Sequence, residues 1–267
     1  MPSTGVLKAV LGRDRLVVIA GLVTVIALAW AYILADAGMA MPAPEATTPS
    51  LTMAVATPAA WTPGYAVLIV LMWLIMMVAM MLPSAAPMIL LFATVNRKQR
   101  ERGVRPIETS IFVLAYMVVW AGFSVLATGL QWGLERAGLL SVMMTSASLA
   151  LGGGILVAAG VWQLTPLKHA CLRHCRSPLS FLTQRWRAGR AGAFRMGLEH
   201  GAFCLGCCWV LMGLLFYGGV MNLYWIAGIA VFALLEKTIP AGHRLGSVAG
   251  IVLIAWGGVL LASVFQG

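Results

Sequence analysis

Seven mainly apolar stretches, over residues 16–35, 65–92, 109–131, 146–164, 199–219, 222–236 and 245–265, are separated by short polar breaks. A helix needs about 20 such residues to cross a hydrocarbon layer. All but the sixth stretch approach or exceed that length. The pattern predicts an all-α fold, a polytopic transmembrane helix bundle of about seven helices.

The breaks alternate in charge. Lys8, Arg13 and Arg15 precede the first stretch, and Arg97, Lys98, Arg100, Arg102 and Arg105 follow the second. Lys168, Arg173, Arg176, Arg185, Arg187, Arg190 and Arg195 precede the fifth, and Lys237 and Arg244 precede the seventh. The other set of breaks holds only Arg136 out of 18 lysines and arginines. The positive-inside rule then puts the N-terminus in the cytoplasm and the C-terminus outside. The net charge of +10 reads as orientation and contact with the lipid bilayer, not as a nucleic-acid surface. Composition agrees: 10% of residues are charged, against about a quarter in soluble domains, and the mean hydropathy is +0.93.

Two regions follow from this layout. Residues 1–64 form an N-terminal transmembrane helix and a flexible external linker rich in Ala, Pro and Thr. Residues 65–267 form a six-helix membrane domain. Its basic cytoplasmic segment, 165–195, includes "PLSFLTQRWRAGR", read as a short amphipathic helix along the membrane surface. "GGG" at 152–154 lacks the lysine of a phosphate loop and reads as a close-packing helix face.

The chemistry lies in soft donors. All five cysteines fall after residue 170, in "CLRHC" (171–175) and "CLGCC" (204–208). Both share the frame Cys-Leu-x-[His or Cys]-Cys, with donors at i, i+3 and i+4, positions that share a helix face. His169 lies just upstream of Cys171, His174 and Cys175. His200 extends the stripe of Cys204, Cys207 and Cys208. "LMWLIMMVAMMLPSAAPM" adds Met76, Met77, Met80 and Met81, before Pro83 and Pro87. Thiolate, thioether and imidazole together are the donor set of Cu(I). Zinc is the alternative, since Cys and His also suit it. All eight carboxylates fall in loops or at helix ends. Whether Lys237 pairs with Glu199 or with Glu236 is left open.

"MWLIMMVAMMLPSAAPM", "QLTPLKHACLRHCRSPLSFL" and "HGAFCLGCCWVLMGLLFYGGVMNLYW…LLEK" resemble, in order, a bacterial family of predicted metal-binding integral membrane proteins of uncharacterised function. The resemblance covers residues 65–265. It implies metal binding at Cys171, His174, Cys175, His200, Cys204, Cys207 and Cys208, in a multi-pass protein of the bacterial cytoplasmic membrane.

The leading expectation is a Cu(I)-binding membrane protein that transports the ion or delivers it to a copper-handling or cuproenzyme partner, without being an enzyme. Two other readings stay open. One is a structural or assembly subunit in which the cysteines only pack. The other is a membrane thiol-disulfide oxidoreductase using Cys204 and Cys207.

Overall fold

A computed structural model describes residues 4–39, 61–101, 109–140 and 144–266. Most of the external linker therefore lies outside the described residues. The described chain is helical: α1 (Thr4–Met39), α2 (Pro63–Glu101), α3 (Thr109–Arg136), α4 (Leu149–Leu164), α5 (Pro166–Arg176), α6 (Pro178–Arg185), α7 (Gly189–Gly213), α8 (Leu215–Gly218), α9 (Leu223–Thr238) and α10 (Gly242–Gln266).

Five of these stretches are long and apolar enough to cross a membrane, or six if the bent pair α4–α5 counts as one span. Seven were expected. The difference lies in α4 and α9, which have 16 residues each. At about 1.5 Å per residue such a helix reaches about 24 Å, short of a hydrocarbon core of about 30 Å.

The α4–α5 bend of 64° has a local cause. Pro166 has no N–H to give the preceding turn, and its ring drives Thr165 out of the helical region. Thr165 is accordingly extended (φ −70°, ψ 144°). Its Oγ1 then accepts from the Lys168 amide at 3.2 Å, capping α5. Lys168, Cys171, Leu172 and Cys175 recur at i, i+3, i+4 and i+7, and this stripe packs α5 along α7. The basic segment is thus partly folded into the bundle. In α6, Phe181 and Leu182 are buried, and just beyond it Trp186 packs on Phe92 at 5.7 Å. The apolar face that the sequence assigned to lipid partly covers protein instead.

Small residues set the helix distances. α4 and α10 run antiparallel, with Gly153 against Gly257 and Gly160 against Gly250. The close packing expected at 152–154 is borne out at Gly152, against Tyr217, and at Gly153. A Cβ on Gly160 would lie 2.6 Å from the Gly250 carbonyl oxygen and from Ile254 Cγ1. At Gly154 nothing lies within 4 Å. Gly160→Val should therefore lower stability by about 1–3 kcal/mol, while Gly154→Val should not. Thermal unfolding in detergent checks this; equal melting points for the two variants would remove the close-packing argument.

α2 carries Pro83 and Pro87 within its helix. Pro83 leaves the Ala79 carbonyl without its usual partner. Trp30 of α1 donates its indole N–H to that oxygen at 3.2 Å. The proline that opens α2 beside the sulfur donors is thus accommodated by a neighbouring helix.

Candidate metal centre

α7 turns Cys204, Cys207 and Cys208 to the bundle interior, where all three are buried. The Cys207 and Cys208 thiols donate to the Cys204 carbonyl at 3.1 and 2.9 Å. α5 brings Cys175, half-buried, close to Cys204 and Cys207. α2 brings Met81, whose Sδ accepts from Cys208 Sγ at 3.6 Å. Four thiols and one thioether, from three helices, therefore meet in one place. All five cysteines are free.

Two polar groups meet the same sulfurs. Tyr116 of α3 shares a hydrogen bond of 3.1 Å with Cys204 Sγ. Lys237, near the end of α9, donates to Cys204 Sγ at 3.1 Å and to Ser84 Oγ at 3.0 Å, and its Nζ is 3.9 Å from Met81 Sδ. The question left open by the sequence has a third answer: Lys237 sits on the Cys204 thiol. Glu199 pairs with Arg185, Arg187 and Arg195, and Glu236 pairs with Lys168. The Lys168–Glu236 pair is fully buried one residue from Lys237.

The other sequence candidates are distributed unevenly. Cys171 is half-buried, with its Sγ against Gly206, at the margin of the cluster. His200 is buried among the rings of Phe112, Tyr116 and Phe181. Its Nδ1 has no hydrogen-bond partner among the described residues. His174 stands apart: it stacks on Phe203 at 4.1 Å, with Nδ1 2.9 Å from the Ala170 carbonyl oxygen. His169 points to the other side of α5, towards Arg173 and His243. Burial, then the neighbouring charges of Lys168, His243 and Arg173, hold its imidazole below the usual histidine range. Met76, Met77 and Met80 are fully buried core residues; of that stripe, Met81 is the member hydrogen-bonded to the cluster.

Among the described residues, no three His, Cys, Asp or Glu side chains surround a ready-made metal position. The Cys207 and Cys208 thiols are instead tied to the Cys204 carbonyl, Cys208 also to Met81, and the cation in contact with Cys204 is the Lys237 ammonium. Sequence reasoning missed Lys237, Tyr116 and Ser84. The signal for Lys237 was its place at the end of an apolar stretch, where a lysine reads first as a loop charge.

A polytopic helical membrane protein with a buried pocket of thiols is the class that fold and cluster define. Within it, the chain belongs to the PpoB2 family, described as copper chaperones, whose model matches residues 70–260. The matched region contains every residue of the sulfur cluster. No curated protein and no solved structure matches the chain.

Proposed function

We propose that the chain is a membrane copper chaperone that holds Cu(I) at Cys175, Cys204, Cys207 and Cys208, with Met81 as a weaker donor, and passes it to a partner protein. The observation that carries this reading is the convergence of four free thiols and a thioether inside an apolar bundle. Thiolate and thioether ligands select Cu(I), whereas carboxylates would suit harder ions. No carboxylate makes a hydrogen bond to these sulfurs among the described residues. The family description supports the same ion. Zinc remains the competing ion, since thiols also serve it.

A thiol that binds the metal as a thiolate loses its proton. With Cys204 and Cys207 as the two thiolates and Cys175 and Cys208 staying protonated as weaker donors, the two thiolates and one Cu(I) carry a net charge of −1, which the Lys237 ammonium neutralises. Cys175 and Cys171, the half-buried members, lie at the basic end of the bundle. In the proposed orientation this is the cytoplasmic face of a bacterial cytoplasmic membrane, where a donor or acceptor protein would dock.

A thiol-disulfide role has one observation in its favour, the lysine that donates to Cys204. The burial of Cys204, Cys207 and Cys208 speaks against it, because a substrate disulfide has to reach the sulfur.

The test is copper stoichiometry under reducing conditions. Wild-type protein should hold one Cu(I) per chain at a centre that Cys204→Ser with Cys207→Ser abolishes, while Cys171→Ala keeps it. Unchanged copper content in the double variant, with the fold intact by circular dichroism, would leave packing as the role of the cysteines.

A further inference from the structure

A second feature lies outside the sulfur cluster. At the α4–α5 bend, a cavity of about 320 Å³ is lined by His169, Leu172, Arg173, Arg176 and His243. Four of its five side chains are basic, and no carboxylate lines it. Two polypeptide segments build it: the outer face of α5, and His243 in the first turn of α10. Arg176 ties them together by donating one guanidinium nitrogen to the carbonyls of Ile239, at 2.7 Å, and Pro240. Both acceptors are neutral, so its charge is left uncompensated. Arg173 is exposed and forms no ion pair among the described residues. The nearest carboxylate in sequence, Glu236, is occupied by the buried Lys168.

Exposed apolar side chains flank the cavity in sequence. Leu167 lies two residues before His169, Leu245 two residues after His243, and Ile239 supplies the carbonyl that Arg176 holds; all three are exposed. A cluster of two arginines and two histidines bordered by apolar surface, at the end of a membrane bundle, matches a phospholipid in both its parts. Guanidinium groups fit phosphate oxygens in a fixed fork. Basic pockets at the ends of membrane helices take anionic headgroups.

We propose that this cavity binds a phosphate group, that of an anionic phospholipid headgroup, with Arg173, Arg176 and His243 as its donors and the acyl chains along Leu167 and Leu245. The inference is independent of the copper reading. A headgroup seated here bridges α5 to the α9–α10 turn, and so braces the helix that carries Cys175.

Native mass spectrometry of the full chain in detergent tests it, with phosphatidylglycerol and phosphatidylcholine as probes. Wild-type protein should retain phosphatidylglycerol over phosphatidylcholine. Arg173→Gln with His243→Gln should weaken that retention by at least about fivefold, with the melting point unchanged. Arg244→Gln, an exposed basic residue outside the cavity lining, should retain the lipid. Equal retention of the two lipids, or of phosphatidylglycerol by the double variant, overturns the proposal. So does an equal loss in Arg244→Gln, which would mean diffuse surface charge. Millimolar inorganic phosphate that displaces the lipid would keep the phosphate chemistry and overturn the lipid as its source.

Discussion

Replacement of Lys237 by methionine is expected to weaken Cu(I) binding at least tenfold, a loss of about 1.4 kcal/mol or more, and to tighten Zn(II) binding. The argument is electroneutrality in a medium that solvates charge poorly. A buried ion is tolerated only when a partner balances it. With Lys237 in place, a two-thiolate Cu(I) centre sums to zero. The same two thiolates around a divalent ion leave one positive charge inside the bundle. Methionine removes the charge while keeping a long side chain, so the balance reverses: copper is left anionic and zinc becomes neutral. Two unit charges about 4 Å apart interact by about 4 kcal/mol at an effective dielectric of about 20, which makes tenfold a conservative figure. Competition with a Cu(I) chelator and with a Zn(II) indicator measures both affinities. Lys237→Arg should keep the wild-type order. If Lys237→Met leaves the ratio of the two affinities unchanged, the ammonium has no part in selecting the ion. If wild-type protein binds no Cu(I) at all, the proposed function fails first.

The second large effect is expected at the buried pair one residue away. Glu236→Gln should destabilise the protein by roughly 3–5 kcal/mol, the range for breaking a buried pair by removing one partner. Lys168 and Glu236 are 0% and 1% exposed, so the lysine left behind cannot reach water. The carboxylate is also hemmed in, because α10 approaches it through Gly246, which has no side chain to keep it away. The pair joins α5 to α9 on the same helical face as Cys171 and Cys175. Its loss should therefore also withdraw Cys175 from the sulfur cluster and speed its alkylation. Lys168→Met with Glu236→Leu should fall close to wild type, since an apolar replacement of both partners leaves no orphan charge. Unfolding in detergent and the rate of Cys175 modification read the two effects separately. A Glu236→Gln protein as stable as wild type would show that the pair is not needed to dock α5.

Much of this architecture was legible in the sequence. Apolar stretches gave the helices, because the bilayer imposes a length that hydropathy reports directly. The alternation of lysine and arginine carries the proposed orientation. Donor types were legible too, since cysteines confined to two short motifs stand out in so apolar a chain. What was not legible was the convergence. CLRHC and CLGCC read as two similar clusters, yet Cys175 completes the second while His174 stacks away on Phe203. Which residue of a motif faces inward depends on how α5 docks, and that follows from the break at Thr165–Pro166. The direction of that bend is set by packing, which a linear pattern does not carry. The methionine stripe was ambiguous for a related reason. Met76, Met77, Met80 and Met81 are all buried, so burial alone could not single out Met81. Lys237 was hidden by the logic that made the charges useful, because a lysine at the end of an apolar stretch counts as topology before it counts as chemistry.

The bend at Thr165 also has a consequence for how an ion would leave. Three sulfurs sit on one continuous helix, while Cys175 arrives on a separate short segment hinged by a single extended residue. On the proposed reading, that segment surrenders one ligand while the others keep hold once its Lys168–Glu236 tie to α9 is broken. An incoming thiol from an acceptor can then take the vacated place, and the ion changes owner stepwise without ever being free.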